Sequence, residues 1–385
     1  MPASSHAPAH GSPIAVCHLV SGDRWAGAEV QVAGLLRCLA KRSELLLSAV
    51  VLNPGRLAEE LEAAGIAVRV IPEAEAGFLR IGSQACAFLE GRGVRILHSH
   101  RYKENLLAAW LRRRLPGSLV VRTQHGLPEP FGGLPGARHR LIGEADRFAA
   151  RRADRVIAVT DDIRTHWTRV VSADKVVTIP NGIEVQRVRP TVDRAQARKA
   201  LGLDPQDVVF GTAGRLEPVK RLDFFLNTAR HILEKDGRAR FAVAGEGTEL
   251  ERLRALARSL GIEQKVSFLG HRADIYNVLV AFDVLLLTSD HEGLPMVLLE
   301  ALCLGVNVVS RRVGGIPEVI ADGKQGLLLD SSDPAEMAAR CLSLLADPAL
   351  RARMAEAGRR RVLESFSMES TAARVAELYL SLFRP

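Results

Sequence analysis

From Ile14 onward the chain alternates short, almost uninterrupted apolar runs with longer stretches in which apolar residues recur every three or four positions. Apolar runs without polar alternation read as strands buried on both faces, and the 3.6-residue periodicity between them reads as covering helices. The pattern therefore predicts successive βα units, parallel sheets and an α/β fold. In the first half the predicted strands are Ile14–Val20, Leu46–Leu52, Val68–Ile71, Ile96–His98, Val120–Thr123 and Arg155–Val159. A polar, Gly-containing turn over Ser21–Ala28 leads into a helix over Glu29–Ala40.

The strand Val176–Ile179 runs into Pro180, Asn181 and Gly182, a hinge, because proline removes a backbone donor and glycine admits positive φ. Beyond it the alternation restarts, with a helix over Arg194–Leu201 and strands at Val208–Thr212, Arg240–Ala244, Val266–Leu269, Val284–Thr288, Asn307–Ser310 and Gly326–Leu329. The tail from Asp333 to Phe383 reads as consecutive helices. Two doubly wound domains are expected, residues 13–182 and 183–365, with the last helix, about 366–385, folding back onto the first domain.

Composition agrees with this picture. A chain of 385 residues exceeds what one core usually supports, and 47% apolar with 25% charged residues is the balance of a soluble globular protein. Aromatics at 5% leave the interior to Leu, Val, Ile and Ala. The net charge of +8 suits polyanionic partners, anionic lipid surfaces or phosphorylated substrates without choosing among them. No stretch interleaves basic residues with aromatics and no zinc-finger or RNP-like spacing occurs, so nucleic acid is not an expected partner. Five scattered cysteines (Cys17, Cys38, Cys86, Cys303, Cys341) form no CxxC pair and read as reduced thiols of a cytoplasmic protein. Met1–Ser12 lacks the basic and apolar regions of a signal peptide, and the longest apolar run, Val278–Leu287, is broken by Asp283 and is far too short to span a bilayer. Basic clusters at Arg112–Arg114, Arg138–Arg140, Arg151–Arg152 and Arg164–Arg169 fit either solvated helix faces or peripheral docking on the inner face of an anionic membrane.

The segment SDHEGLPMVLLEALCLGVNVVSRRVGGIPE, from Ser289 to Glu318, is the densest in candidate chemistry. Glu292 follows a strand end, Gly293 to Pro295 form a loop, and Glu300 lies about one turn into the helix that starts near Pro295 or Met296. Two glutamates so spaced also fit a solvated helix face. A carboxylate, however, accepts two hydrogen bonds and matches paired hydroxyls. The turn Gly211-Thr-Ala-Gly214-Arg215, with Lys220 five residues on, could hold a diphosphate, since glycine lets backbone N–H groups approach, Arg forks onto phosphate oxygens and Lys adds a point charge. Gly245 and Gly247 follow the next strand, where plain turn chemistry is an equal reading. Histidines His98, His100 and His125 follow strands in the first domain, and no Asp or Cys spacing beside them makes a metal site, so none is expected.

Glu292-GLPMVLL-Glu300 resembles the Glu-x7-Glu motif of the retaining glycosyltransferases of family 4, and Val313–Ile320 (VGGIPEVI) matches that family's next segment. The resemblance implies the GT-B fold, two facing Rossmann-like domains, and a hexosyl transfer from a nucleotide-sugar donor. By it Glu292 contacts the donor sugar and Glu300 the ribose, while Gly293 and Leu294 join the donor-binding loop. Gly214-Arg215-Leu-Glu-Pro-Val-Lys220 resembles the family's GRL-x3-K, which places Arg215 and Lys220 on the pyrophosphate. Gly245 falls at the nucleotide edge, as do Leu269 and Gly270. Trp25-Ala-Gly27-Ala-Glu29 resembles the Gly-Gly-x-Glu segment, with Ala26 in place of the first glycine, and puts Gly27 near the phosphate. The Thr-x-His-Gly pattern puts His125 near the reacting carbon, holding a sugar hydroxyl or steadying the transition state. IPNGIE, Ile179–Glu184, corresponds to the hinge, with Glu184 for the commoner Asp. The resemblance also implies an acceptor that is a glycan or lipid-linked molecule, in cell-surface polysaccharide, lipopolysaccharide or glycolipid synthesis, and Glu129–Arg140 belongs to the acceptor loops. No DxD-like metal motif occurs, and transfer without a metal ion is expected. A sugar-nucleotide epimerase and a non-catalytic nucleotide-sugar binder are the rival readings. An NAD-dependent oxidoreductase lacks its GxGxxG.

Overall fold

The computed structural model describes residues 13–22, 25, 27–127 and 136–384, with side chains of 136–139 excepted. Met1–Ser12, Ala26 and most of the acceptor loop Glu129–Arg140 thus lie outside the described residues. The chain divides into two compact units, Met1–Gly182 with Met368–Pro385, and Ile183–Ser367.

The first unit runs β1 (Ile14–Val20), α1 (Gly27–Leu39), β2 (Leu45–Val51), α2 (Arg56–Ala63), β3 (Ala67–Val70), α3 (Phe78–Leu89), β4 (Ile96–Ser99), α4 (Tyr102–Leu111), β5 (Leu119–Gln124), α5 (Gly136–Arg152), β6 (Arg155–Ala158), α6 (Asp161–Trp167) and β7 (Val176–Thr178). Its strands form a parallel sheet in the order β3-β2-β1-β4-β5-β6-β7. β1 is buried along its whole length and pairs from Ile14↔Leu45 to Val20↔Val51 on one side and from Val16↔Ile96 to Leu19↔Ser99 on the other. The order reverses direction at β1 and β4, which opens a crevice at their carboxyl ends.

The second unit runs α7 (Arg194–Ala200), β8 (Val208–Ala213), α8 (Leu222–Leu233), β9 (Ala239–Ala244), α9 (Leu250–Ser259), β10 (Val266–Gly270), α10 (Ile275–Ala281), β11 (Val284–Leu287), α11 (Met296–Cys303), β12 (Asn307–Arg311), α12 (Ile316–Val319), β13 (Leu327–Leu329), α13 (Pro334–Ala346) and α14 (Pro348–Ser365). Its parallel sheet has the order β10-β9-β8-β11-β12-β13, reversing at β8 and β11. Helix starts follow local chemistry. Asp193 and Gln196 make a reciprocal capping box on α7, and Asp333 and Asp347 each accept a backbone N–H at the start of a helix whose first residue is proline.

The last helix, α15 (Met368–Ser381), belongs to the first unit. Met368, Ala372, Val375, Ala376, Leu378 and Tyr379 enter the core that also holds Val32, Leu35 and Leu36 of α1. Thr371 Oγ1 donates to the Pro180 carbonyl at 3.0 Å, tying this helix to the segment where the chain leaves the unit. Each fully buried Leu, Val or Ile contributes roughly 1.5–3 kcal/mol, so the six apolar positions make α15 an integral part of that core.

Strand limits differ from the sequence expectation by a residue or so, as at Leu45–Val51 and Ala67–Val70. Hydrogen-bond pairing ends a strand, and apolar runs extend past it because the following residue is still buried, as Leu52 and Ile71 are.

Candidate active site

In the second unit the carboxyl ends of β8 and β11 flank the switch point. β8 delivers Gly214 and Arg215, and β11 leads through Thr288 and Ser289 to Glu292. A small open cleft lies between them, lined by Gly214, Arg215, Lys220, Ser289 and Glu292 among others. Four of the residues singled out in the sequence therefore share one cavity.

Lys220 Nζ donates to both carboxylate oxygens of Glu292, at 2.7 Å and 2.9 Å, and Ser289 Oγ donates to Oε1 at 2.6 Å. The two loops are also joined by backbone. The Asp290 N–H donates to the Val219 carbonyl and Thr288 Oγ1 to the Lys220 carbonyl, each at 2.9 Å. Arg221 adopts left-handed φ 48°, ψ 48° and reaches Asp223 and Asp290, while Arg311 donates to Asp290 and the Ser289 carbonyl. Among the described residues Arg221 is the one non-glycine with positive φ. These contacts fix where Lys220 and Glu292 stand.

Two glycines behind this lining let backbone segments pack closely. Gly314 has φ +50° and a Cβ there would lie 1.7 Å from the Glu292 carbonyl oxygen, so no side chain fits beneath the loop. Gly245, at φ +136°, packs against Gly214, where a Cβ would lie 1.8 Å from the carbonyl oxygen. Its N–H donates to the Gly270 carbonyl at 2.8 Å, and the Gly214 N–H to the Ala244 carbonyl at 2.9 Å. Close approach of backbones, rather than turn geometry alone, demands both glycines.

Arg215 is exposed, and among the described residues its guanidinium forms no ion pair. Glu300 and Leu294 are buried outside the cavity lining, Glu300 on the second turn of α11. Burial pushes the Glu300 carboxyl up to about 7. Its charge in turn helps raise the Tyr276 phenol of α10, although burial is the main cause there. Gly293 accepts from the Gly315 N–H at 2.9 Å through its carbonyl.

In the first unit Gly27 opens α1 after the β1 turn and is exposed. His98 and His100, at the end of β4, meet two residues from distant parts of the chain, His18 of β1 and Tyr379 of α15. His125 Nε2 lies 3.2 Å from His100 Nδ1, and His100 Nε2 lies 3.0 Å from His18 Nδ1. His18 Nε2 is 3.2 Å from the Tyr379 hydroxyl, which is 2.5 Å from His98 Nδ1, and His98 Nε2 is 2.8 Å from Thr123 Oγ1. Burial lowers His18 to about 3 and His125 to about 4, and holds His98 and His100 well below the usual imidazole range, so all four rings are neutral at pH 7. Ligand atoms of His18, His98 and His100 lie within 4.8 Å of one another, but the ring nitrogens are already engaged in this string. Beside it, Ser21 Oγ donates to the buried Glu104 at 2.5 Å, and Arg101 donates to Glu29 at 2.5 Å.

Ser289, Arg311, His18 and Tyr379 were not anticipated. A histidine inside the otherwise apolar run IAVCHLV was a visible signal for His18, since a buried imidazole needs partners. Tyr379 carries no such signal.

Residues 193–361 match the family described as Glycosyl transferases group 1, and residues 25–187 match Glycosyltransferase Family 4. A D-inositol 3-phosphate glycosyltransferase of Streptomyces bingchenggensis is 31% identical over 373 residues, covering 87% of this chain and 78% of that one. An N-acetyl-alpha-D-glucosaminyl L-malate synthase of Bacillus anthracis is 30% identical over 310 residues, covering 80% of each chain. HepE of Anabaena, solved with UDP-glucose, superimposes with a TM-score of 0.83 at 21% identity, covering 96% of this chain and 100% of that one.

Proposed function

The chain belongs to glycosyltransferase family 4, and we propose that it moves a sugar, with retention of anomeric configuration, from a nucleotide-sugar donor to a hydroxyl of a glycan or lipid-linked acceptor. The observation that carries this reading is the cavity at the β8/β11 switch point, where Arg215, without an ion pair among the described residues, and Lys220, paired with Glu292, stand beside the Gly214 backbone. Arg215 and Lys220 take the diphosphate, Glu292 and the Gly293–Leu294 backbone the sugar, Glu300 the ribose hydroxyls, and Gly245 borders the nucleotide. Gly27 offers its N–H to phosphate, and His125 a hydrogen bond to a sugar hydroxyl. Transferase names among the relatives favour transfer over epimerisation or mere binding.

No carboxylate among these residues is assigned as nucleophile. The bond from the anomeric carbon to the leaving phosphate oxygen breaks while the acceptor oxygen bonds to that carbon on the same face, and the acceptor proton passes to the departing diphosphate. Arg215 and Lys220 stabilise the charge gained by the diphosphate, and this supports a reaction run without a metal ion. The acceptor reading extends to assembly of cell-surface polysaccharide, lipopolysaccharide or glycolipid.

Among the described residues no helix is long and apolar enough to cross a membrane. α5 exposes Leu141 and Phe148, two turns apart, beside Arg140, Arg147 and Arg151. This supports peripheral contact with an anionic bilayer, and equal sedimentation with neutral and anionic liposomes would count against it.

Thermal shift of the full chain against UDP-, GDP- and ADP-sugars tests the donor site, beginning with UDP-glucose, the ligand in the HepE structure. A donor at a hundred times its Kd adds about 2.7 kcal/mol. It should shift the wild type clearly more than Arg215→Ala or Glu300→Ala. Inversion in the product, read by NMR, would refute the retaining mechanism.

A further inference from the structure

The string Thr123, His98, Tyr379, His18, His100 and His125 has no break, and each ring nitrogen along it except the terminal His125 Nδ1 has one neighbour in it. A neutral imidazole carries one N–H and one lone pair, so fixing the direction of any one hydrogen bond fixes them all. Two self-consistent states exist. In one, all four histidines are protonated on Nδ1, and in the other all four are protonated on Nε2.

The far end chooses between them. Thr123 is 6% exposed, and His98 is the one hydrogen-bond partner of its hydroxyl among the described residues. If His98 donates to Thr123, the threonine proton is buried without an acceptor among the described residues. If Thr123 donates to His98 Nε2, every group in the string is satisfied until the last, His125 Nδ1. The short 2.5 Å contact between Tyr379 and His98 favours the opposite sense at that one link. An unmet buried hydroxyl costs about 1–3 kcal/mol and outweighs it. His125 Nδ1 is itself shielded from solvent without a well-formed hydrogen bond, although Asn181 lies beside the ring and draws its pKa upward.

We propose that this string is a tautomer lock: Thr123 and Tyr379 hold His125 as a neutral Nδ1–H donor rather than a lone-pair acceptor. Both are positioning residues, Thr123 acting through three intervening imidazoles and Tyr379 through two. The functional half of this inference rests on the placement of His125 against the sugar proposed above. A neutral donor suits a hydroxyl or ring oxygen, and it adds no charge beside the positive character that develops at the anomeric carbon.

The test uses the full chain labelled with 15N-histidine, with long-range 1H–15N correlation spectra assigned by single His→Gln variants. Four histidines are expected with a protonated Nδ1 and a lone pair on Nε2. Thr123→Val, which keeps the shape and removes the hydroxyl, should move His125 away from that tautomer, and Thr123→Ser should restore it. Tyr379→Phe, which cuts the string elsewhere, should do the same as Thr123→Val. An Nε2–H tautomer at His125 in the wild type, or a His125 signal indifferent to both cuts, overturns the proposal. In transfer assays Thr123→Val and Tyr379→Phe should lower kcat about tenfold with donor Kd within about twofold, as expected when an imidazole loses its tautomer but not its place. Spectra as expected with kcat unchanged in His125→Gln would uphold the lock and overturn the placement of His125 against the sugar.

Discussion

Lys220 and Glu292, 72 residues apart in sequence, form a two-pronged ion pair at 2.7 Å and 2.9 Å inside the cavity that is proposed to take the donor. The lysine meant for the diphosphate is thus already occupied by the carboxylate meant for the sugar. Donor binding has to loosen this pair or share the ammonium between carboxylate and phosphate.

Glu292→Gln should therefore separate binding from transfer. Nucleoside diphosphate without sugar is expected to bind the variant as tightly as the wild type or more so, because Lys220 no longer has a rival anion. Transfer should fall by roughly a hundredfold with loss of an electrostatic contact at the reacting sugar. Calorimetric titration with the diphosphate alone checks the first statement, and a tenfold weakening would contradict the competition.

Arg215→Ala removes an exposed guanidinium with no ion pair among the described residues. Stability in urea should change by no more than about 0.5 kcal/mol. Donor affinity should drop by about 1.5–3 kcal/mol, the usual range for a charge-assisted hydrogen bond. A large loss of stability with unchanged affinity would make Arg215 structural.

Burial raises Glu300 from 4.5 to about 7, so the folded state holds a proton there that the unfolded chain gives up. Between pH 4.5 and 7 the native state binds more protons, and stability falls as pH rises through that window. The full effect above pH 7 is on the order of 3 kcal/mol, at 1.36 kcal/mol per pH unit of displacement. Glu300→Gln should flatten this slope and be the more stable protein at pH 8. Chemical denaturation at several pH values would read it, and parallel slopes for the two proteins would refute it.

Gly314→Ala places a methyl 1.7 Å from the Glu292 carbonyl oxygen at a residue with φ +50°. The loop must shift, at a cost of about 2–3 kcal/mol. Because the loop carries Glu292, kcat should fall further than Gly305→Ala, where positive φ is equally present but a Cβ meets nothing within 4 Å. Equal effects of the two variants would mean that strain, not displacement of Glu292, is being measured.

Much of this was legible in the sequence because it is written in local pattern. The strand that ends at Ala213 and the one that ends at Leu287 are largely apolar runs, and the loops after them carry glycine, arginine and glutamate at short, recognisable spacings. What was not legible depends on pairing between distant segments. Nothing near Lys220 announces Glu292 as its partner, since the β8/β11 adjacency that joins them is a property of strand order. Tyr379 lies 281 residues from His98 and sits in an ordinary amphipathic helix. His100 and His125 read in the sequence as strand-end histidines. Their role in a string depends on His18, which arrives only because β1 lies beside β4.

The return of α15 also bears on how the protein is made. The unit built around β1 is translated first but cannot complete its core until Met368–Ser381 has emerged, whereas the unit Ile183–Ser367 is continuous in sequence and complete before that helix exists. The later half of the chain is therefore free to fold first on the ribosome, while the earlier half waits with part of its apolar surface exposed. Premature termination or a bulky fusion near the carboxyl terminus would injure the amino-terminal half of the molecule.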